Sequence, residues 1–310
     1  MASAKVSPFT STVVAAMRKL YPEKLADSSF DNTGLLLEAP YRPHLKNSVL
    51  LTVDLTKAVA DEAIARKDSI IIAYHPIIFR PLKSITLANT QQNSLLHLAQ
   101  EGISVYSPHT AVDAAPEGLN DWLADIISTA YPGTSNQVSI PSERSVITAV
   151  KDAPAGFEKA GYGRIVRFAQ AEFLGNIVER ISHVLQNDTD DKLSIAVPQS
   201  TPPEHKKSIP IKSIGICAGS GGSLLNGLDV DLLFTGELSH HEALAAIEQG
   251  KCVITTFHSN SERGFLRDRM AQQLQTAYAK ENRTNDTKFE VDVSKADRDP
   301  FEIISSEYGW

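Results

Sequence analysis

The chain carries a near-copy of one of its own segments. Residues 52–75 and 235–258 align without a gap, at a constant offset of 183 positions. In each copy an acidic residue follows the first apolar run and a histidine follows the second: Asp54 and His75, then Glu237 and His258. A match of equal length predicts two copies of one strand–helix–strand unit. Two equivalent strand ends can then direct two histidines toward one site.

Bulk composition narrows the class of protein. The chain has 310 residues, of which 42% are hydrophobic and 22% charged, as is ordinary for a globular protein with a large core. Its net charge is −7 and no basic stripe stands out, which disfavours binding to a nucleic-acid backbone. No apolar run approaches the roughly 20 residues of a membrane span, and the N-terminus lacks a signal-peptide layout. We expect no membrane, no direct nucleic-acid partner, and a cytoplasmic location, with mitochondrial or nuclear pools as alternatives.

Apolar strand-like runs alternate with amphipathic helical patterns along the chain. The predicted strands span 48–54, 69–74, 103–106, 164–168, 193–197 and 211–217. The predicted helices span 8–20, 57–67, 91–101, 118–128, 171–186 and 260–280, and the predicted loops include 107–117, 131–143 and 281–289. Alternation of this kind is typical of an α/β fold with largely parallel strands.

Four side chains are candidate metal ligands: His75, Asp113, His258 and Glu262. The two histidines end the duplicated strands, and ligands of α/β sheets bind outside the carboxyl ends of strands. Glu262 lies four residues after His258, so the two share a face if a helix begins near Ser259. Two imidazoles and two carboxylates suit Zn, Mn or Fe, and a carboxylate can bridge two metals.

Each of these residues also has a purely structural interpretation. A histidine at a strand end is often a capping or core residue. Glu262 fits a surface acid on a helix, and Asp113 fits an Asx turn in the loop after strand 103–106. The repeated histidine and the acid one helical turn away are the observations that favour a metal site.

Several weaker features accompany the four. Gly219-Ser-Gly-Gly222 fits a tight strand-to-helix turn, with a phosphate cradle as the minor alternative. Ser239 is a predicted helix cap, and His240 and His241 are expected on the surface of that helix's first turn. Asp54 and Glu237 are expected to fix strand-end turns through backbone hydrogen bonds. The two cysteines, Cys217 and Cys252, form no CxxC pair and are expected to be buried thiols.

Five ordered motifs resemble one known family. They are Asp31-Asn-Thr-Gly-Leu-Leu-Leu-Glu38, Ala73-Tyr-His-Pro-Ile-Ile-Phe79, Pro108-His-Thr-Ala-Val-Asp113, Thr235-Gly-Glu-Leu-Ser-His-His-Glu-Ala243 and Phe257-His-Ser-Asn-Ser-Glu-Arg-Gly264. Through these motifs the chain resembles the GTP cyclohydrolase 1 type 2 homologue family, which is also called the NIF-three-like family. Tyr-His-Pro at 74–76 resembles the eukaryotic branch, and fungal members in particular.

The resemblance implies a fold of two intertwined α/β repeats related by internal duplication. It implies one family domain over about residues 8–305, in which 1–130 with 240–310 form a lobe that carries the metal site and 131–239 form a second lobe. It also implies a homo-oligomer, a trimer or a hexamer.

The resemblance also implies a dinuclear metal centre. The family's ligands fall on Tyr74, His75, Asp113, His258 and Glu262. Tyr74 departs from the bacterial pattern, because a phenol must lose a proton of pKa near 10 before it becomes a good ligand. We therefore expect Tyr74, like His109, to be either a weak ligand or a support for the ligands, with one or two metals per chain.

Two functions follow as hypotheses. The first is a metal-dependent hydrolase, in which metal-activated water attacks a nucleotide-like or phosphoester substrate. The second is a non-enzymatic, metal-binding oligomeric adaptor with a transcription-related protein partner, as the family's name implies.

Overall fold

A computed structural model describes residues 5–130, 137–189, 193–281 and 289–302. Residues 131–136 of the predicted loop 131–143 and residues 282–288 of the predicted loop 281–289 lie outside these ranges. Within the described residues, no helix is both long and apolar enough to cross a membrane.

The helices follow the predicted order closely. They are α1 (Pro8–Leu20), α2 (Lys57–Arg66), α3 (Thr90–Glu101), α4 (His109–Ala114), α5 (Leu119–Ile127), α6 (Leu174–Thr189), α7 (Gly222–Leu225), α8 (His240–Glu248), α9 (Asn260–Phe265) and α10 (Ala271–Glu281). Short 3-10 turns occupy Glu23–Leu25 and Pro203–Ser208, and one π-helical turn occupies Leu266–Met270.

The strands alternate with these helices. They are β1 (Gly34–Leu37), β2 (Ser48–Thr52), β3 (Ile70–Ala73), β4 (Ser104–Ser107), β5 (Thr129–Ala130), β6 (Val138–Ser139), β7 (Ser142–Ala149), β8 (Gly161–Phe173), β9 (Ser194–Ala196), β10 (Pro210–Ser220), β11 (Leu232–Glu237), β12 (Cys252–Thr255) and β13 (Glu290–Val293). The expected α/β fold class is confirmed.

The chain forms two compact units, each built from several stretches. Unit 1 comprises Met1–Ala115, Asp152–Glu158 and Phe265–Arg298, and unit 2 comprises Pro116–Lys151, Lys159–Gly264 and Asp299–Trp310. The two lobes expected from the family resemblance stay a prediction.

Unit 1 holds a five-stranded sheet in the order β1-β4-β3-β2-β13. All its neighbours pair in parallel except β1, which is antiparallel to β4. Helices α2 and α3 pack apolar side chains against it, including Val59, Ala63 and Leu98, over Leu50 of β2 and Ile71 of β3. This burial fixes the carboxyl end of β3, where His75 follows.

Unit 2 holds a six-stranded sheet in the order β7-β8-β10-β11-β12-β9. Strands β10, β11 and β12 are parallel, and the remaining pairs are antiparallel. Its apolar core includes Leu233 of β11, Val253 of β12 and Ala246 of α8. The same arrangement therefore fixes the carboxyl end of β12, after which His258 lies.

Each unit contains one copy of the repeat. Unit 1 has β2-α2-β3 and unit 2 has β11-α8-β12. The backbone N–H of Ser69 donates to the carbonyl oxygen of Ser48 at 3.1 Å, and the N–H of Cys252 donates to the carbonyl oxygen of Asp231 at 2.8 Å. Cys252 and Asp231 lie 183 positions after Ser69 and Ser48. The two copies of the repeat thus share the hydrogen bond at which their strand pairing begins.

The helix caps are repeated as well. The hydroxyl of Thr56 accepts from the N–H of Val59 at the start of α2. Ser239 accepts from Glu242 at the start of α8, and the Glu242 carboxylate accepts in return from the Ser239 N–H. The predicted cap at Ser239 is confirmed, and His240 and His241 are exposed in the first turn of α8, as expected.

One local prediction was wrong, one strand was not predicted, and one predicted helix contains an irregular turn. Residues His109–Ala114 of the predicted loop 107–117 form helix α4. Strand β7 was not predicted, because most of its side chains are polar and exposed at the edge of the described sheet. The predicted helix 260–280 is confirmed as one continuous helical run that contains the π-helical turn.

Candidate metal centre

His75 of unit 1 is held by an acidic side chain. Nδ1 of His75 lies 2.9 Å from Oδ1 of Asp54. An ionised carboxylate only accepts hydrogen bonds, so Nδ1 carries the proton. Asp54 was expected to fix a turn through its backbone, and its carbonyl does accept from the Thr56 N–H. Its side chain has the further role of orienting the imidazole.

His258 of unit 2 is held in the same way. Nδ1 of His258 lies 2.9 Å from Oε1 of Glu237. Each histidine follows its acid by 21 residues. We call His75 with Asp54 the first histidine pair, and His258 with Glu237 the second histidine pair. Equivalent positions of the repeat therefore make the same contact.

The contact determines which nitrogen each ring presents. With Nδ1–H engaged by a carboxylate, the lone pair of each imidazole is on Nε2. Metal-ligating histidines are commonly held in this manner, since the carboxylate fixes the tautomer and raises the basicity of the ligating nitrogen. The two imidazole side chains are partly exposed, at 23% for His75 and 38% for His258.

Glu262 stands next to the second histidine pair. Helix α9 places its carboxylate one turn after His258, with Oε1 at 3.5 Å from Nε2 of His258. The Glu262 side chain is only 3% exposed. A buried carboxylate facing the lone pair of an imidazole is costly unless a cation or a proton joins them.

Gly219 makes room for these two side chains. It has a φ of 62°, and a Cβ there would lie 2.7 Å from Oε1 of Glu262 and 3.0 Å from Nε2 of His258. Its N–H donates to the hydroxyl of Ser261 at 2.8 Å. The predicted strand-to-helix turn at 219–222 is confirmed, since β10 ends at Ser220 and α7 begins at Gly222. Gly219, the first residue of this turn, also leaves space beside Oε1 of Glu262 and Nε2 of His258.

Asp113 of unit 1 receives a hydrogen bond from Tyr74. The phenol oxygen of Tyr74 donates to Oδ1 of Asp113 at 2.6 Å. The Tyr74 ring is buried, and its carbonyl accepts from the hydroxyl of Ser107. A phenol that donates this bond retains its proton, and a protonated phenol is a poor metal ligand. Of the two roles expected for Tyr74, the contact favours support of Asp113.

His109, at the start of α4, is held by a third carboxylate. Its Nδ1 lies 2.7 Å from Oδ1 of Asp31, and its ring centroid lies 5.5 Å from that of His75. Asp31 also accepts from Thr33 and from the hydroxyl and N–H of Thr110. Burial alone would raise the pKa of Asp31, but these hydrogen bonds and the charge of His109 lower it to about 2. Asp31 was missed as a site residue, although its motif and the neighbouring threonines were visible in the sequence.

The predicted site residues thus fall in two groups. Unit 1 carries Tyr74, His75, His109 and Asp113, and unit 2 carries His258 and Glu262. Each histidine expected to bind metal has an acid on Nδ1, a feature that the repeat contained but that sequence reasoning assigned to turns. The Cys252 thiol is buried, as expected, and burial raises its pKa to about 11. The Cys217 thiol is only partly buried, so the expectation of burial was wrong there.

The chain is therefore a duplicated α/β protein in which a carboxylate contacts the histidine at the end of each repeat. Residues 9–300 match the family described as Duf34/NIF3 (NGG1p interacting factor 3). The chain belongs to this family.

Relatives in the family cover nearly the whole chain. It is 45% identical over 303 residues to the Protein NIF3 homolog of Schizosaccharomyces pombe, covering 97% of this chain and 99% of that protein. It is 40% identical to the NGG1-interacting factor 3 of Saccharomyces cerevisiae, covering 94% and 96%. The solved structure of a Bacillus cereus protein related to NIF3 has the same fold, with a TM-score of 0.72 at 19% identity, covering 97% of this chain and 100% of that one. The expected similarity to fungal members is confirmed.

The Asp31 contacts predict a dependence of stability on pH. The pKa of Asp31 is lower in the folded chain than in the unfolded one, so its ionised form stabilises the fold above pH 4 and this contribution is lost as pH falls toward 2. Asp31→Asn should lower the free energy of unfolding by about 2 kcal/mol at pH 7 and by less at pH 3, measured by urea unfolding. Asp61→Asn, at an exposed pair with Lys57, is the control and should change it by under about 0.5 kcal/mol. A difference for Asp31→Asn that grows on acidification would contradict the assignment.

Proposed function

We propose that this chain is a metal-dependent hydrolase whose metal ligands are His75, Asp113, His258 and Glu262. The observation that carries the proposal is the repeated hydrogen bond from Nδ1 of a histidine to a carboxylate. Within unit 2, Nε2 of His258 and Oε1 of Glu262 lie 3.5 Å apart. Within unit 1, His75 offers a second Nε2, because its Nδ1 is engaged by Asp54. The donor set of imidazole and carboxylate suits Zn, Fe or Mn, with one or two ions per chain.

The residues fit such an ion in their chemistry. Asp54 and Glu237 keep the Nε2 lone pairs of the two histidines available. Glu262 supplies a buried anionic oxygen, and Gly219 leaves space beside it that a Cβ would fill. A divalent metal in such surroundings would supply Lewis acidity and would lower the pKa of a bound water to about 7.

The proposed substrate is nucleotide-like or a phosphoester. The electrophilic carbon or phosphorus of such a compound accepts a water nucleophile. Asp113, held by the Tyr74 hydroxyl, and Glu262, buried beside His258, are the carboxylates that would hold the metal. His109, held by Asp31, supports this arrangement from the neighbourhood of His75.

A second function is favoured by one specific observation. The Saccharomyces cerevisiae relative is named NGG1-interacting factor 3, which points to a protein partner for that relative. By analogy, this chain would be an oligomeric adaptor that binds a transcription-related protein and uses metal for structure alone. The trimeric or hexameric assembly expected from the family stays a prediction under either function.

Metal content tests the ligand assignment. Tag-free wild-type protein should carry divalent metal by inductively coupled plasma mass spectrometry, and His75→Ala and His258→Ala should each lose most of it. Asp54→Asn and Glu237→Gln should keep the ligands but weaken metal affinity by about 10- to 100-fold. His241→Ala, an exposed histidine on α8, is the matched control and should retain wild-type metal. Equal loss in His241→Ala, or wild-type affinity in both Asp54→Asn and Glu237→Gln, would contradict the assignment.

Activity and partner binding separate the two functions. Metal-loaded wild type should hydrolyse at least one member of a panel of nucleotides and phosphoesters, and His258→Ala should lose that activity. Metal-loaded protein that hydrolyses none of the panel, while His258→Ala still binds the partner that wild type binds, would reject the hydrolase and support the adaptor.

A further inference from the structure

Two exposed aromatic rings, Phe30 and Phe79, pack together in unit 1. Phe30 is 52% exposed and Phe79 is 46% exposed, with ring centroids 6.3 Å apart and planes inclined by 49°. The side-chain amide of Asn32 donates to the carbonyl of Ile78, which ties together the two segments that carry these rings. Exposed aromatic rings that pack against each other form a contiguous apolar surface, which is a common feature of binding sites.

The aromatic contacts continue from this pair to His75. The Phe79 ring lies 6.5 Å from that of His109 in an edge-to-face arrangement, and His109 lies 5.5 Å from His75. The bond to Asp31 fixes the His109 ring. All these residues belong to unit 1, so Phe30 and Phe79 are anchored to the same framework as a proposed metal ligand.

The loop that carries Phe79 is cationic in an acidic chain. Arg80 and Lys83 are exposed, and no acidic residue occurs between Pro76 and Asn89, although the chain has a net charge of −7. Neither cation forms an ion pair with any residue that the structure describes. Uncompensated positive charge beside flat apolar surface complements a ligand that is both planar and anionic.

We propose that Phe30 and Phe79 form a subsite for the flat, unsaturated ring of an anionic ligand, with Arg80 and Lys83 attracting its negative group. This subsite rests on the proposed hydrolase in one respect: the ligand is the substrate of that same site. Aromatic side chains bind planar rings of many kinds, because stacking needs only a π face. The inference therefore concerns the shape and charge of the ligand, and Phe30 and Phe79 would determine specificity.

A matched pair of probes isolates the ring preference. 1-Naphthyl phosphate and cyclohexyl phosphate carry the same anion, but only the first has a flat ring. In equilibrium titrations by calorimetry, wild type should bind 1-naphthyl phosphate about tenfold more tightly than cyclohexyl phosphate. Phe30→Leu and Phe79→Leu, which keep apolar volume, should abolish this preference, whereas Phe79→Tyr, which keeps the ring, should retain it.

A control in the same loop distinguishes an aromatic subsite from a general apolar docking surface. Leu87→Ser removes an exposed apolar group and should leave the ring preference unchanged; a loss there would indicate the docking surface and overturn the proposal. No binding of 1-naphthyl phosphate to wild type, equal binding of the two probes, or an unchanged preference in Phe79→Leu would also overturn it. The same titration on His258→Ala distinguishes the two proposals, because the ring preference should persist there although hydrolysis is lost.

Discussion

The hydrogen bond between a histidine Nδ1 and a carboxylate is the contact on which the site depends. It occurs once in each copy of the repeat, at 2.9 Å for His75 with Asp54 and at 2.9 Å for His258 with Glu237. Because the carboxylate only accepts, both rings must present Nε2. The strand register brings each acid and histidine together, and matching core residues such as Ala63 and Ala246 support that register.

The two copies share a scaffold and differ in what surrounds each histidine. In unit 1, the Tyr74 N–H bonds the oxygen of Thr52, and the Tyr74 hydroxyl holds Asp113. In unit 2, the Thr256 N–H bonds the oxygen of Thr235, and Phe257 then has a φ of 67° before His258. A residue other than glycine is strained at this φ, and the surrounding structure must hold it there. The repeat therefore preserves the histidine pairs, while the neighbouring residues have diverged.

The sequence predicted the repeat and most helices and strands because their apolar periods are strong. It did not predict α4, since the run begins after Pro108 with His109 at a φ of 31°, which no propensity rule favours. It did not predict β7, whose Ser, Glu, Arg and Thr residues bury little. The sequence analysis identified Asp54, Glu237 and both histidines, but it did not predict that each acid contacts a histidine. A contact between residues 21 positions apart depends on how the strands pair in the sheet. Asp31 was missed for the same reason, since its partner His109 is 78 residues away.

X-ray absorption at the metal edge tests the central claim most directly. The protein is loaded with Zn and its spectrum is compared with those of His75→Gln and His258→Gln. The account predicts nitrogen and oxygen ligands at about 2.0–2.1 Å and scattering from imidazole rings in wild type, with the imidazole contribution reduced in each variant. A wild-type spectrum without imidazole scattering, or one that neither substitution changes, would contradict the claim that the two histidine pairs bind metal.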